Sequence, residues 1–285
     1  MVDDERRNDV EDELRRQAKK SFDTGMTAFR RGDYSEALSA FDDALELCQD
    51  ISGSECGQAD CLHGSGIVLG EMGDLRGALG CYEQALVLYR EVPGNECGQA
   101  DCLYNIGVAL GGLGDSRGAL KCYERALILF QGVPDSGRAQ AECLFNRGAM
   151  LNELGDWRGA LGCFERSLTL FQGVPGSERE QADCLYGSGA TLSELGDYWE
   201  ALGYFDRALV LLGKGVVEAD RVEAERTGAC CLQGIGNCLI ELNEAVFPDH
   251  FARALDVFRR PEHVDHTKAD QASCLRSIGN GRSAT

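Results

Sequence analysis

Apolar positions along this chain recur with helical rather than strand spacing. Two patterns alternate, separated by a Gly-Asp pair. In the first, a leucine and a glycine lie four residues apart on one helix face: Leu62 and Gly66, Leu103 and Gly107, Leu144 and Gly148, Leu185 and Gly189. In the second, a small residue, an aromatic and a small residue form an i, i+4, i+7 stripe: Ala78, Tyr82, Ala85; Ala119, Tyr123, Ala126; Ala160, Phe164, Ser167; Ala201, Phe205, Ala208. These patterns predict two helices, A and B, per unit. The phrase "GDLRGALGCYEQAL" from Gly73 returns from Gly114, Gly155 and Gly196, and in looser form from Gly32, at a constant step of 41 residues. A fixed period of that size is the signature of a repeat array.

The local physics of each unit follows from side-chain size. Glycine in helix A costs about 1 kcal/mol relative to alanine, so its return in every copy predicts a close crossing of the two helices, glycine and the helix B alanines letting the backbones approach while the aromatic ring fills the space. Gly32, Gly73, Gly114, Gly155 and Gly196 suit the left-handed residue that ends a helix, and the aspartates after them suit the N-cap of the next. Asp33 with Glu36 and Asp197 with Glu200 have capping-box spacing. Pro93, Pro134 and Pro175 fall where helix B must stop. One helix pair cannot bury its own apolar face; stacked copies can.

The chain divides accordingly into a charged N-terminal segment, 1–11, and one elongated array over 12–285. Its repeats run over about 18–58, 59–99, 100–141, 141–181 and 182–215, followed by an irregular sixth over 229–262. The sixth keeps Leu232, Gly236, Ala254, Leu255 and Phe258, but it carries insertions before and within it, and Pro261 stands where a small residue is usual. A helix over 269–281, with Leu275 and Gly279, closes the chain, either as a cap or as the start of a repeat in a longer array. Helix B glycines such as Gly77, Gly118 and Gly159 predict some flexibility, and the irregular last repeat predicts fraying at that end.

On these residues the chain resembles the tetratricopeptide repeat (TPR) family: an apolar residue then Gly in helix A, with Ala, an aromatic and Ala in helix B. The 41-residue period looks like the extended repeats of kinesin light chains and Pins-type adaptors. The resemblance implies an all-α, right-handed superhelical solenoid of antiparallel helix pairs, acting as a non-catalytic protein–protein interaction scaffold whose helix A residues line a concave groove. It also implies that Asn105 and Asn146 hold a peptide backbone, although Gly64 and Gly187 interrupt that series. The Lys and Asn clamp of chaperone-associated members is absent, since Phe22 and Met26 occupy two of its positions.

Counting the helix A glycine as position 8, positions 2 and 5 share a face. Position 5 reads Phe22, His63, Tyr104, Phe145, Tyr186 and position 2 reads Asp60, Asp101, Glu142, Asp183. A row of rings beside a row of acids suits a peptide carrying Lys or Arg among apolar residues. Acids in a first helical turn are also favoured by the macrodipole, and rings can serve only as padding between repeats.

Charge agrees with such a partner. The formal net charge over 285 residues is −19, which disfavours nucleic acid and anionic membranes and favours basic partners. No apolar run is long enough to span a bilayer, and the N-terminus lacks the apolar core of a signal peptide, so the expected location is cytoplasmic. Fourteen cysteines are expected there as reduced thiols. Cys61, Cys102, Cys143, Cys184, Cys231 and Cys274 share a helix A position, and Cys81, Cys122 and Cys163 a helix B position, which reads as small apolar packing. Cys56 and Cys97 are placed in loops, as the more reactive thiols. No nucleophile–base motif appears, and no cofactor is expected. Two readings stay open beside the scaffold: a regulatory or sensor array of a larger signalling protein, and a metal-binding protein using His250, His263, Asp265 and His266.

Overall fold

The computed structural model describes residues 2–213 and 221–242. The expected second helix of the sixth repeat, the His250–His266 segment and the helix over 269–281 lie outside the described residues. Within them the chain forms eleven α-helices and no strand. It divides into two compact units, Met1–Ser136 and Gly137–Thr285.

The first unit contains α1 (Val2–Arg30), α2 (Tyr34–Gln49), α3 (Glu55–Glu71), α4 (Leu75–Glu91), α5 (Glu96–Gly112) and α6 (Ser116–Phe130). They pair as α1 with α2, α3 with α4 and α5 with α6, and each pair packs on the next. Within a pair the helices run antiparallel: a Cβ added at Gly66 would meet the Tyr82 ring at 2.6 Å, while nearer the start of α3 Asp60 reaches Tyr89, nearer the end of α4. The ring therefore fills the space that glycine leaves, as the A–B pattern predicts. The turn glycine Gly73 has φ +82°, the left-handed conformation that an L side chain strains to adopt.

The second unit contains α7 (Gly137–Glu153), α8 (Trp157–Phe171), α9 (Glu178–Leu195), α10 (Tyr198–Leu212) and α11 (Arg221–Glu241). Gly148 faces Phe164, and the Ser167 hydroxyl donates to the Ala141 carbonyl at 2.7 Å, so this pair is antiparallel too. Its core gathers Phe171, Leu185, Leu192, Phe205, Leu209, Leu232 and Ile235.

Three of the helix B rings, Phe41, Phe164 and Phe205, do more than the pattern predicts, because each also touches the repeat after it. Phe41 lies against Gly25 of its own pair and against Gly64 of the next, where an added Cβ would come within 2.9 Å. Phe164 likewise meets Gly187 at 2.9 Å, and Phe205 meets Gly234 at 2.5 Å. Gly64 and Gly187 interrupt the asparagine series because a phenylalanine ring takes the room a side chain needs.

Four of the five helix B starts carry the predicted aspartate cap, but neither expected capping box closes: Glu36 accepts from Arg31, and the Asp33 N–H donates to the Ala28 carbonyl instead. The Asp33, Asp74, Asp115 and Asp156 carboxylates accept from the backbone N–H three residues on, whereas Asp197 makes no side-chain cap bond, so its spacing with Glu200 forms no capping box. Gly77, Gly118 and Gly159 are the donors in three of these caps, at the third residue of helix B rather than in its middle. A second correction concerns Cys56 and Cys97. They are exposed, but in the first turns of α3 and α5, because those helices begin at Glu55 and Glu96, a turn earlier than the apolar pattern shows.

Candidate functional site

Position 5 of helix A carries a half-buried ring in the first five pairs, and each packs at a tilt or edge-on against the helix B ring of its own repeat. The centroid separations are 5.4 Å for Phe22–Phe41, 5.7 Å for His63–Tyr82, 6.0 Å for Tyr104–Tyr123, 5.5 Å for Phe145–Phe164 and 6.0 Å for Tyr186–Phe205. Each ring packs on its neighbour yet remains only half-buried, so the series is both padding and surface.

In the first unit the acids beside these rings have neutral partners. Asp60, exposed, accepts from the Tyr89 hydroxyl at 2.5 Å. Asp101, half-buried, accepts from the Cys97 thiol at 3.7 Å. Burial pushes the Asp101 carboxyl above its usual range, with His63 and the thiol pulling the other way. His63 is held in its neutral form by burial, against the pull of Asp101 and Asp60. Asn105 Nδ2 donates to His63 Nε2 at 2.8 Å, which needs that nitrogen unprotonated. Asp60, His63, Asp101, Tyr104 and Asn105 are thus brought to one face of α3 and α5.

The second unit builds the same positions with arginine. Arg179 Nη1 lies 3.0 Å from Asp183 Oδ2, and the Thr227 hydroxyl donates to Asp183 Oδ1 at 2.5 Å. Arg138 Nη1 lies 2.8 Å from Glu180 Oε1 and 3.7 Å from Glu142 Oε1. Burial raises the carboxyls of Glu142 and Asp183, and the arginines and Thr227 offset part of that. Glu142, Phe145, Asn146, Asp183 and Tyr186 all fall on α7 and α9, each half-buried.

With the repeat geometry in view, a family model for the tetratricopeptide repeat matches residues 23–91, 62–132 and 137–212, more than half of the sequence. The chain belongs to the tetratricopeptide repeat family. TPR proteins are protein-interaction modules, and the solved structures similar to this one agree on the fold. RapI in its apo form is 16% identical with a TM-score of 0.67, over 92% of this chain and 99% of that one. BtubC from P. vanneervenii is 21% identical with a TM-score of 0.59, over 70% and 90%. YrrB, described as a TPR protein with an unusual peptide-binding site, is 22% identical with a TM-score of 0.50, over 76% and 94%. No curated protein matches in sequence.

The cysteines of this TPR chain range from buried to exposed where described. All are free thiols, and burial pushes Cys61, Cys102, Cys143 and Cys184 up to about 12, far from the thiolate that reacts or binds metal. Cys56 and Cys97 are also raised, by partial burial first and then by Asp60 and Asp101, the opposite of an activated thiol. Among the described residues no group of three or more His, Cys, Asp or Glu can hold a metal ion, and no helix is long and apolar enough to cross a membrane.

The sequence reading missed Arg138, Arg179 and Thr227. The arginine signal was present, since positions 56, 97, 138 and 179 follow the same 41-residue step and read Cys, Cys, Arg, Arg. Thr227 precedes the recognisable part of the irregular sixth repeat, where no register placed it.

Proposed function

We propose that this chain is a non-catalytic cytoplasmic scaffold that binds a basic or amphipathic protein segment along its helix A face. The observation that carries the reading is the coincidence, on α3 and α5, of half-buried rings with carboxylates whose hydrogen-bond partners among the described residues are neutral, a tyrosine hydroxyl and a thiol. Rings supply area and cation–π attraction, carboxylates supply charge complementarity, and a segment carrying Lys or Arg among apolar residues uses both. Asn105 and Asn146 offer side-chain amides to an extended backbone beside them. The likeness to YrrB, a protein with a peptide-binding site of its own, supports a peptide as the ligand class. Free thiols throughout the described residues support a reducing compartment.

Affinity capture from cell extract at low and moderate salt tests this, comparing wild type with a Tyr104→Ala/Phe145→Ala/Tyr186→Ala variant whose helicity is checked by circular dichroism. Salt-sensitive partners are expected to be lost with the variant. Persistence of the same partners on a folded variant overturns the reading and assigns the rings to packing.

A further inference from the structure

One turn before each acid of the helix A face, the chain carries Cys56, Cys97, Arg138 and Arg179 in register. In the second unit the arginines fold onto the acidic row: Arg179 holds Asp183 at 3.0 Å, and Arg138 holds Glu180 at 2.8 Å beside Glu142. That half therefore displays what an acid of this face accepts, a guanidinium, supplied from within. In the first unit the same positions are thiols too short to do this. Asp60 meets a tyrosine hydroxyl and Asp101 a thiol, both uncharged, and His63 between them is neutral.

We propose that the face of α3 and α5 receives the guanidinium of an arginine from the partner segment, with Asp60 and Asp101 as its anionic ligands and the His63 and Tyr104 rings beside it. Arg138 and Arg179 fill the equivalent place in the second unit and close it to cationic side chains. The inference rests on the helix A reading above and assigns the charge specificity to one half of the chain. Arginine fits better than lysine because its planar fork pairs with carboxylates and stacks on rings, and because it is the side chain that already occupies the equivalent acids. Placement of a partner cation also gives Asp101 the counter-charge its burial lacks.

The test uses the full chain, labelled for NMR, titrated with N-acetyl-arginine amide and with the neutral isostere N-acetyl-citrulline amide. Arginine amide is expected to shift the backbone resonances of Asp60, His63, Asp101 and Tyr104 and to leave Glu142 and Asp183 unmoved, while citrulline amide shifts none of them. Cys97→Arg, at an exposed position, should weaken the arginine response at least tenfold with the spectrum otherwise preserved. Arg179→Cys should open a second response at Asp183. Equal shifts from citrulline amide, or an unchanged response in Cys97→Arg, overturn the proposal. If the ring variant loses its partners in the capture while arginine amide shifts nothing, only this inference fails. If arginine amide responds as expected while capture is indifferent to the rings, the groove reading fails, and with it the assignment of that guanidinium to a partner segment.

Discussion

The α3–α5 face and the α7–α9 face are written in nearly the same phrase, yet they carry different electrostatics. Both keep the glycine of helix A, the ring of helix B and the ring at position 5, with separations that differ by only a few tenths of an ångström. They part company one helical turn earlier, where Cys56 and Cys97 correspond to Arg138 and Arg179. Packing constrains the shared residues, because a ring against a glycine leaves no spare volume. Three of the four first-turn residues, Cys56, Cys97 and Arg138, are exposed and Arg179 is half-buried, so a single column retunes charge outside the ring-on-glycine core.

Overpacking beneath the rings gives the largest expected effect and tests what the units share. Gly64→Ala in the first unit and Gly234→Ala in the second should each cost about 1–3 kcal/mol in denaturant unfolding, since the new methyl would meet Phe41 or Phe205 below van der Waals contact. A cost confined to one of them would break the claim of common packing.

The next effect should separate the units. Arg179→Ala removes a partly buried ion pair from Asp183 and should cost about 1 kcal/mol, whereas Cys97→Ala should stay within about 0.5 kcal/mol. Equal costs in thermal or denaturant melts would erase the distinction between an internally occupied face and an open one.

On the outer surface the units should again agree. Gly80 and Gly203 lie inside helix B with nothing within 4 Å of an added Cβ. Gly80→Ala and Gly203→Ala should therefore each stabilise by about 0.5–1 kcal/mol. A destabilisation at either position would reveal a contact that the open space does not show.

The smallest effect bears on the open face directly. A carboxyl whose folded pKa is raised keeps its proton longer in the folded chain, so stability falls as pH rises from the unfolded value, about 4, through the folded one. Asp101→Asn should accordingly raise the unfolding midpoint at pH 7, by a few tenths of a kcal/mol, and lose that gain below about pH 4. An unchanged midpoint at pH 7 would mean that Asp101 has a counter-charge after all, and would weaken the contrast with Asp183.

Much of the fold was legible because its determinants are local. Helix periodicity reports which residues share a face, and the Gly-Asp turn reports where one helix ends and the next begins. Gly64 and Gly187 were opaque because their reason is a ring from the preceding repeat, and a period counted along one helix does not show what leans on it from another. Cys56 and Cys97 were misplaced because α3 and α5 start on polar residues, Glu55 and Glu96, that the apolar stripe does not mark. The acidic row was visible in the sequence, but its state was not: a carboxylate paired with Arg179 and one resting on a thiol look alike until side chains are placed.

The double seat of the helix B rings has a mechanical consequence. Phe41 sits between Gly25 and Gly64, and Phe205 between Gly189 and Gly234, so each ring rivets its own pair to the following one. Under an end-to-end pull, a pair joined in this way cannot peel away without stripping a ring from its neighbour's glycine, and such joints should yield in whole repeats. Each event would release 41 residues, lengthening the chain by on the order of 140 Å less the folded extent of the pair. A tether built this way gives in steps, like a ratchet, and keeps the repeats that have not yielded intact.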